Sequence, residues 1–198
     1  MSNFSFCAAD HHLEVVDRRS TTFRSEHTFR IQAEVESRFF VRDYYWTGSG
    51  VETEKPPEVV SEVDKWGLPF HRMHGPLLVE GNFRIMVVDL GRTLGVGEEE
   101  TVGFRHQMKD LAGTFQPFFR IKPSTQVRDT LTLRLTLPDW QGLKCHYRKF
   151  THDTEKVVDS EEVELEQDAA GRKTVYKQII NPSEQNMGHV LEWTHDEH

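Results

Sequence analysis

The sequence has no long apolar run, and this absence excludes most membrane proteins. No stretch of its 198 residues approaches the roughly 18 consecutive apolar residues that a membrane-spanning helix needs. The first 30 residues are interrupted by charged and histidine side chains, so they have no apolar centre of the kind found in signal peptides. We therefore expect a cytoplasmic protein with no membrane partner.

Cysteine is also scarce, which argues against a disulfide scaffold or a zinc ribbon. The two cysteines, Cys7 and Cys145, lie far apart and form no paired spacing. The simplest interpretation is two free thiols in a reducing compartment, with a Cys7–Cys145 disulfide as the alternative. Cys145 is followed by His146, but neighbouring residues on a strand point to opposite faces, so they do not form a thiol and its base.

The sequence also has no excess of positively charged residues. Lys and Arg number 24 against 32 Asp and Glu, and the formal net charge is −8. Proteins that track phosphates need a basic surface, so nucleic acid is not expected as a partner. The sequence also lacks a nucleophile elbow, paired catalytic acids and a complete phosphate loop. These absences favour a protein without enzymatic activity.

Alternation with a period of two residues dominates what is present. From Leu131 to Leu137 apolar residues occupy the odd positions and polar residues the even ones, and Phe29 to Val35 repeats this parity. Such alternation predicts strands with one buried face. Counting similar segments gives about ten strands separated by turn residues. We predict an all-β fold, an antiparallel β-sandwich that is Ig-like or jelly-roll-like, with a barrel as the alternative.

Several local expectations accompany this fold. Residues 1–198 should form a single domain with at most one or two short helices and with frayed termini at 1–18 and 195–198. The segments 23–35 and 38–46 should pair as a hairpin. Residues 56–67 should form a helical turn, because Val59, Val60, Val63 and Trp66 recur at helical spacing.

A long connection at residues 47–76 is the first place to look for a binding surface. It contains several glycines, prolines and acids, and long loops in compact domains are often functional. Large aromatic side chains near loops dominate recognition when they are exposed. The candidate binding residues are Trp46, Trp66, Phe70 and Trp140.

Histidines in the same loop make a metal site the second hypothesis. His71 and His74 are three residues apart, and a carboxylate such as Asp64 or Glu62 could complete a set of ligands for zinc or a similar divalent ion. His106 or His146 from neighbouring strands could join them. Otherwise no cofactor is expected, because spacing fixes no third ligand.

The second half of the chain has one resemblance. The turn "LGVGEEE", the extended stretch "FRIKPSTQVRDTLTLRLTLP" and the closing "GRKTVYKQIINPSEQNMGHVLEW" resemble a β-rich C-terminal module of uncharacterised bacterial proteins, over about residues 75–194. The resemblance implies a β-rich module and no site residues. The sequence thus predicts a non-enzymatic protein-interaction or assembly module of a cytoplasmic bacterial protein, binding another protein or itself. The alternative is a metal- or small-ligand-binding protein that uses the loop histidines.

Overall fold

The structure is a computed structural model that describes residues 3–19, 21–45, 57–80, 83–110, 112–121, 127–182 and 186–196. The described residues form fourteen strands and no helix. In chain order the strands are β1 (Phe4–Val15), β2 (Thr22–Ala33), β3 (Ser37–Tyr45), β4 (Glu58–Val60), β5 (Arg72–Glu80), β6 (Phe83–Leu94), β7 (Glu99–Lys109), β8 (Phe118–Ile121), β9 (Val127–Leu137), β10 (Lys144–Thr151), β11 (Val157–Glu162), β12 (Glu166–Gln167), β13 (Lys173–Ile180) and β14 (Met187–Thr194).

These strands form three sheets. The largest has seven strands in the order β12-β13-β9-β1-β2-β7-β4, a second has four in the order β11-β10-β14-β8, and a third has three in the order β3-β6-β5. β1 occupies the centre of the large sheet, where it pairs antiparallel with β2 and parallel with β9. The large sheet is therefore mixed. Its outermost strands, β4 and β12, have only three and two residues, and such short edges limit pairing with other sheets.

One face of the large sheet carries the core. Leu131, Leu133, Leu135 and Leu137 on β9 are all buried, as their alternation predicts. Phe23 and Phe29 on β2 are buried on the same face, because they are an even number of residues apart. Truncating a phenylalanine in such a position typically destabilises a protein by about 3–5 kcal/mol.

The two smaller sheets cover opposite ends of this face. Phe40 of β3 lies 6.0 Å from Phe6 and 5.7 Å from Phe29 between ring centroids, so the three-stranded sheet packs on one end. At the other end Phe115 links Phe23 to Trp193 of β14, at 4.2 and 6.1 Å. Three sheets thus share one hydrophobic core.

The opposite face of the large sheet is polar. The Arg134 guanidinium lies 3.1 Å from the Asp10 carboxylate on the neighbouring strand, and His12 lies 3.0 Å from the Thr136 hydroxyl. Partly exposed ion pairs of this kind contribute about 0–1 kcal/mol each. This face is solvated, and the sheet is stabilised mainly by its apolar face.

The all-β prediction is confirmed, but several finer expectations are wrong. The parallel β1–β9 ladder shows that the large sheet is not antiparallel throughout. β2 and β3 do not pair with each other, because both edges of β2 are occupied by β1 and β7. Residues 4–15, expected to fray, form the central strand.

The expected helical turn at 56–67 is also wrong. Glu58–Val60 forms β4 against β7, and Val63 forms a bridge with Pro69. The apolar residues at helical spacing are not a buried helical face, since Val60, Val63 and Trp66 are all exposed.

Two other expectations concern the thiols and the membrane. Cys7 and Cys145 are both free and buried, so the alternative disulfide is not formed. No helix in the described ranges is long and apolar enough to cross a bilayer.

Candidate functional site

The connection between β4 and β5 forms a small, tightly bonded hairpin, residues 61–71, called here the 61–71 hairpin. The Asp64 amide donates to the Leu68 carbonyl at 2.8 Å, and the Gly67 amide donates to the Asp64 carbonyl at 3.0 Å. The Asp64 carboxylate accepts from the amides of Trp66 and Leu68, at 2.8 and 2.9 Å. Gly67 adopts a φ of +80°, which glycine tolerates without strain. These bonds hold the tip in one conformation.

The base of the hairpin is anchored to the sheets. The Phe70 amide donates to the Glu62 carbonyl, and the His71 amide donates to the Ser61 hydroxyl, both at 3.0 Å. A Cβ at Gly91 of β6 would lie 2.4 Å from the Phe70 carbonyl oxygen, so this approach requires glycine. The tip therefore projects from a fixed base.

Apolar side chains project from this hairpin into solvent. Trp66 at the tip is 74% exposed and Phe70 is 51% exposed, and Val63 and Leu68 are exposed as well. The Lys65 ammonium lies 4.2 Å from the centre of the Trp66 ring. This cation–π contact covers one face of the indole and leaves the other face open. Exposed apolar residues scattered singly need no explanation, but a group of them on one rigid hairpin indicates a contact surface.

The outer face of the three-stranded sheet carries further exposed apolar residues. Phe39 and Val41 of β3 are exposed, and Phe39 pairs in register with Asp89 of β6. Arg38 donates two hydrogen bonds to Asp89, at 2.8 and 3.0 Å. This contact, with a further hydrogen bond from the Gly91 amide, lowers the pKa of Asp89 to about 2. The Arg38–Asp89 pair thus stays ionised beside the apolar residues.

The predicted binding residues fall in different places. Trp66 and Phe70 lie together on the 61–71 hairpin, whereas Trp46 lies outside the described residues. Trp140 follows β9, where its indole N–H donates to the Arg18 carbonyl at 3.1 Å and its ring stacks on His195 at 4.5 Å. β9 and β4 are four strand positions apart, about 19 Å at the usual spacing, so Trp140 belongs to another part of the molecule.

The predicted metal ligands are not gathered into one site. His71 is buried while His74 is exposed, because residues an odd number apart on an extended chain face opposite sides. The Asp64 carboxylate is engaged with the backbone of the hairpin tip. Within the described part of the chain no group of three His, Cys, Asp or Glu side chains could hold a metal ion.

His71 is instead a structural residue at the base of the hairpin. Its Nε2 lies 3.9 Å from the Glu100 carboxylate, and its Nδ1 has no hydrogen-bond partner among the described residues. Burial lowers the pKa of His71, although Glu100 acts in the opposite direction. The ring therefore favours its neutral form.

A buried histidine pair is the main feature that the sequence analysis did not predict. His11 of β1 and His27 of β2 are directly paired across the two strands, with their Nδ1 atoms 2.7 Å apart. The His27 ring lies 5.0 Å from Phe104, and the Arg42 guanidinium lies 5.4 Å from the ring of Phe29 beside it. At 2.7 Å the Nδ1–H of one imidazole donates a hydrogen bond to the unprotonated Nδ1 of the other.

Both imidazoles are held neutral. Part of His27 reaches the surface, but its ring is enclosed by aromatic neighbours, and this burial together with the Arg42 charge lowers its pKa to about 3. Burial likewise lowers the pKa of His11 well below its ordinary value, with smaller effects from His27 and Arg42. A signal existed in the sequence, since His11 shares the parity of the buried residues Ala9, Leu13 and Val15.

Cys145 offers no reactive centre. It is fully buried against the core, and burial raises the pKa of its thiol to about 12. Because the thiolate is the nucleophile, this cysteine is inert near neutral pH.

The comparisons with known proteins concern the fold. No protein-family model matches the sequence, and no curated protein matches it. Solved structures do match. An M1 zinc metallopeptidase from Deinococcus radiodurans has a TM-score of 0.53 and 13% identity over 96% of this chain and 42% of its own. A form of the D. radiodurans enzyme bound to a Tyr-Ser-Ala substrate gives 0.52 and 14%, with 96% and 42% covered.

A third matching structure is of a two-domain enzyme. A two-domain M1 zinc metallopeptidase bound to L-arginine has a TM-score of 0.54 and 14% identity, over 96% of this chain and 42% of its own. At these identities the likeness shows the fold alone. The chain has a β-rich fold similar to part of these enzymes, and it spans less than half of their length.

Proposed function

We propose that this chain is a non-catalytic β module that binds another protein through the 61–71 hairpin and the adjoining outer face of the three-stranded sheet. The observation that carries the proposal is the exposed Trp66 on a rigid, hydrogen-bonded tip. Seven of the fourteen exposed large apolar residues in the described ranges lie on β3, β4 and this hairpin, so exposed apolar surface is concentrated there.

The energetics favour a binding role for Trp66. A partner that enclosed its exposed part would bury about 150 Å² of aromatic surface, which corresponds to about 4 kcal/mol before the costs of association. The hairpin reduces those costs, because its conformation is already held by the Asp64 hydrogen bonds and little further ordering is needed. Trp is also among the residues most often found at the energetic centre of interfaces.

The domain organisation of a structural neighbour supports a module that functions next to another domain or protein. The neighbours are two-domain enzymes in at least one case, and this chain covers 42% of their length. The described residues bring together no group of three metal-ligating side chains, so we assign this chain no part of the zinc chemistry of those enzymes. The proposed partner is another protein, with a second copy of the chain as the simplest alternative.

Site-specific photo-crosslinking tests this proposal. A photoreactive amino acid is placed at Trp66 in one variant and at Tyr176, an exposed aromatic residue of β13 on the polar face of the large sheet, in a control. In cells of the native organism we expect a discrete crosslinked adduct from position 66 and none from position 176. The partner is identified by mass spectrometry, and an adduct of doubled mass would identify a second copy.

Two results would count against the proposal. Position 66 could yield no adduct at all, or positions 66 and 176 could yield the same set of adducts. A second variant, Phe70→Ala with the photoreactive group at position 66, should reduce the adduct if the two aromatic residues share one contact surface.

A further inference from the structure

The outer face of the four-stranded sheet carries a hollow of about 230 Å³. Val190 of β14 lies at its centre, in register with Arg148 of β10 on one side and Arg120 of β8 on the other. Phe118 and Phe150 also line the hollow, and the carboxylates of Glu155 and Glu192 lie at its rim beside the two arginines. Two guanidinium groups therefore flank an apolar floor, away from the 61–71 hairpin.

The floor holds Arg120 in a defined position. The Phe150 ring packs on Gly188, where a Cβ would lie 2.2 Å from its Cζ atom. The Arg120 guanidinium lies over this ring, 4.0 Å from its centre. A cation–π contact at this distance restricts the arginine, so the hollow is preorganised.

Arg120 also has a hydrogen-bond donor that its described neighbours leave unsatisfied. Its Nε is buried and has no partner among the described residues. Its Nη2 is paired with the carboxylate of Glu155. A buried donor without an acceptor is unfavourable, so a ligand that brings an acceptor to Nε gains from satisfying it.

Glu155 shows that Arg120 can bind a carboxylate. Its φ of 56° lies in the left-handed region, where glycine or asparagine is usual and other residues are disfavoured. The turn places a half-exposed carboxylate on Arg120 despite this backbone conformation. Because about half of this side chain is exposed, a carboxylate from solution can compete with it for Arg120.

We propose that this hollow binds the C-terminal residue of a peptide. The terminal carboxylate replaces Glu155 on Arg120 and reaches its Nε, while a short apolar side chain rests on Val190 and Phe118. Arg148 lies across the floor as a second guanidinium, paired with Glu192 through Nη2. The volume is below the roughly 300 Å³ of small-molecule sites, so it suits one residue.

The first experiment compares two probes by NMR on the full-length, ¹⁵N-labelled protein. The tripeptide N-acetyl-Gly-Gly-Val is titrated with a free carboxylate and, separately, with a C-terminal amide. The free acid should shift the Arg120 Nε–H and Val190 amide signals in a saturable manner. The amide should bind about tenfold more weakly or worse, because it loses a charge-assisted hydrogen bond.

Three variants make the test specific. Arg120→Lys keeps the charge but removes the Nε donor, so it should weaken binding about tenfold. Glu155→Gln removes the competing carboxylate and should tighten binding several-fold, a result that stands even if Arg120→Lys does not fold. As a control, Arg105→Gln disrupts the exposed Arg105–Glu58 pair on the large sheet and should leave the affinity for the peptide unchanged.

Three outcomes would overturn the proposal. The acid and the amide could bind with equal affinity. The Arg120→Lys and Glu155→Gln variants could both bind the acid as tightly as the unmodified protein does. Finally, the acid could cause no saturable shift even at concentrations well above millimolar.

Discussion

The His11–His27 pair should make the protein sensitive to mild acid. In the folded state the pKa of His27 is lowered from 6.5 to about 3, and that of His11 is also lowered well below 6.5. In the unfolded chain both imidazoles take up protons below pH 6.5. The unfolded state therefore binds more protons. As a result, the free energy of unfolding has its full value above pH 6.5 and falls as the pH drops towards 3.

The size of this effect follows from linkage. At pH 5 each histidine that stays neutral in the fold lowers the free energy of unfolding by about 2 kcal/mol relative to pH 7.5. The pair together accounts for about 4 kcal/mol, a large part of the roughly 5–15 kcal/mol of a typical domain. His12 and His71, whose pKa values are also lowered by burial, add smaller losses in the same direction.

Urea unfolding at pH 7.5, 6 and 5 measures this loss. The double variant His11→Leu, His27→Phe removes both groups and should reduce the difference between pH 7.5 and pH 5 by about 4 kcal/mol. The control His152→Gln replaces an exposed histidine and should leave the difference unchanged. Equal stability of the natural protein at pH 5 and 7.5, or an equal pH dependence in the double variant, would refute the reasoning.

Two further predictions concern the four-stranded sheet. Gly188→Ala should lower the free energy of unfolding by about 1–3 kcal/mol, because its Cβ would meet the Phe150 ring at 2.2 Å, whereas Gly95→Ala, with its nearest contact at 3.6 Å, should change it much less. Similar losses in urea titrations of both variants would contradict this packing. Cys145 should resist a thiol reagent at pH 8 in the folded protein and react once unfolded, since burial raises its pKa to about 12. Modification of the folded protein at the rate of a free thiol would show that the cysteine is accessible.

Alternation predicted the strands that keep a single parity. Leu131 to Leu137 form the buried face of β9 because each odd residue meets the core and each even residue meets solvent or a polar neighbour. β1 was harder to predict for two reasons. A bulge near Cys7 switches the buried parity from Phe4 and Phe6 to Ala9 and onwards, and His11 occupies a core position that its residue type does not suggest.

Strand pairing and the local fold of the hairpin depended on information outside the local sequence. The short turn after β2 suggested a hairpin with β3, but β1 and β7 occupy both edges of β2, and those contacts are distant in the chain. Val60, Val63 and Trp66 have helical spacing, yet the Asp64 turn and the pairing of β4 with β7 favour an extended chain. Local spacing could not reveal that these apolar residues face solvent.

The sequence indicated part of the candidate site, whose binding role stays a prediction. The 47–76 connection, Trp66 and Phe70 were expected as a binding surface, and the structure places both aromatic residues together on one exposed hairpin. The hollow around Arg120 was not predicted, because its residues come from four separate strands and meet only through the sheet register.

The affinity of the crosslinked partner for two matched variants tests the central claim most directly. Trp66→Ala should weaken binding by about thirtyfold or more, as expected when the anchor of an interface is truncated. Tyr176→Ala, a comparable loss of exposed aromatic surface on the large sheet, should change the affinity by less than about threefold. Equal affinities of the Trp66→Ala and unmodified proteins would contradict the assignment of the 61–71 hairpin as the binding surface.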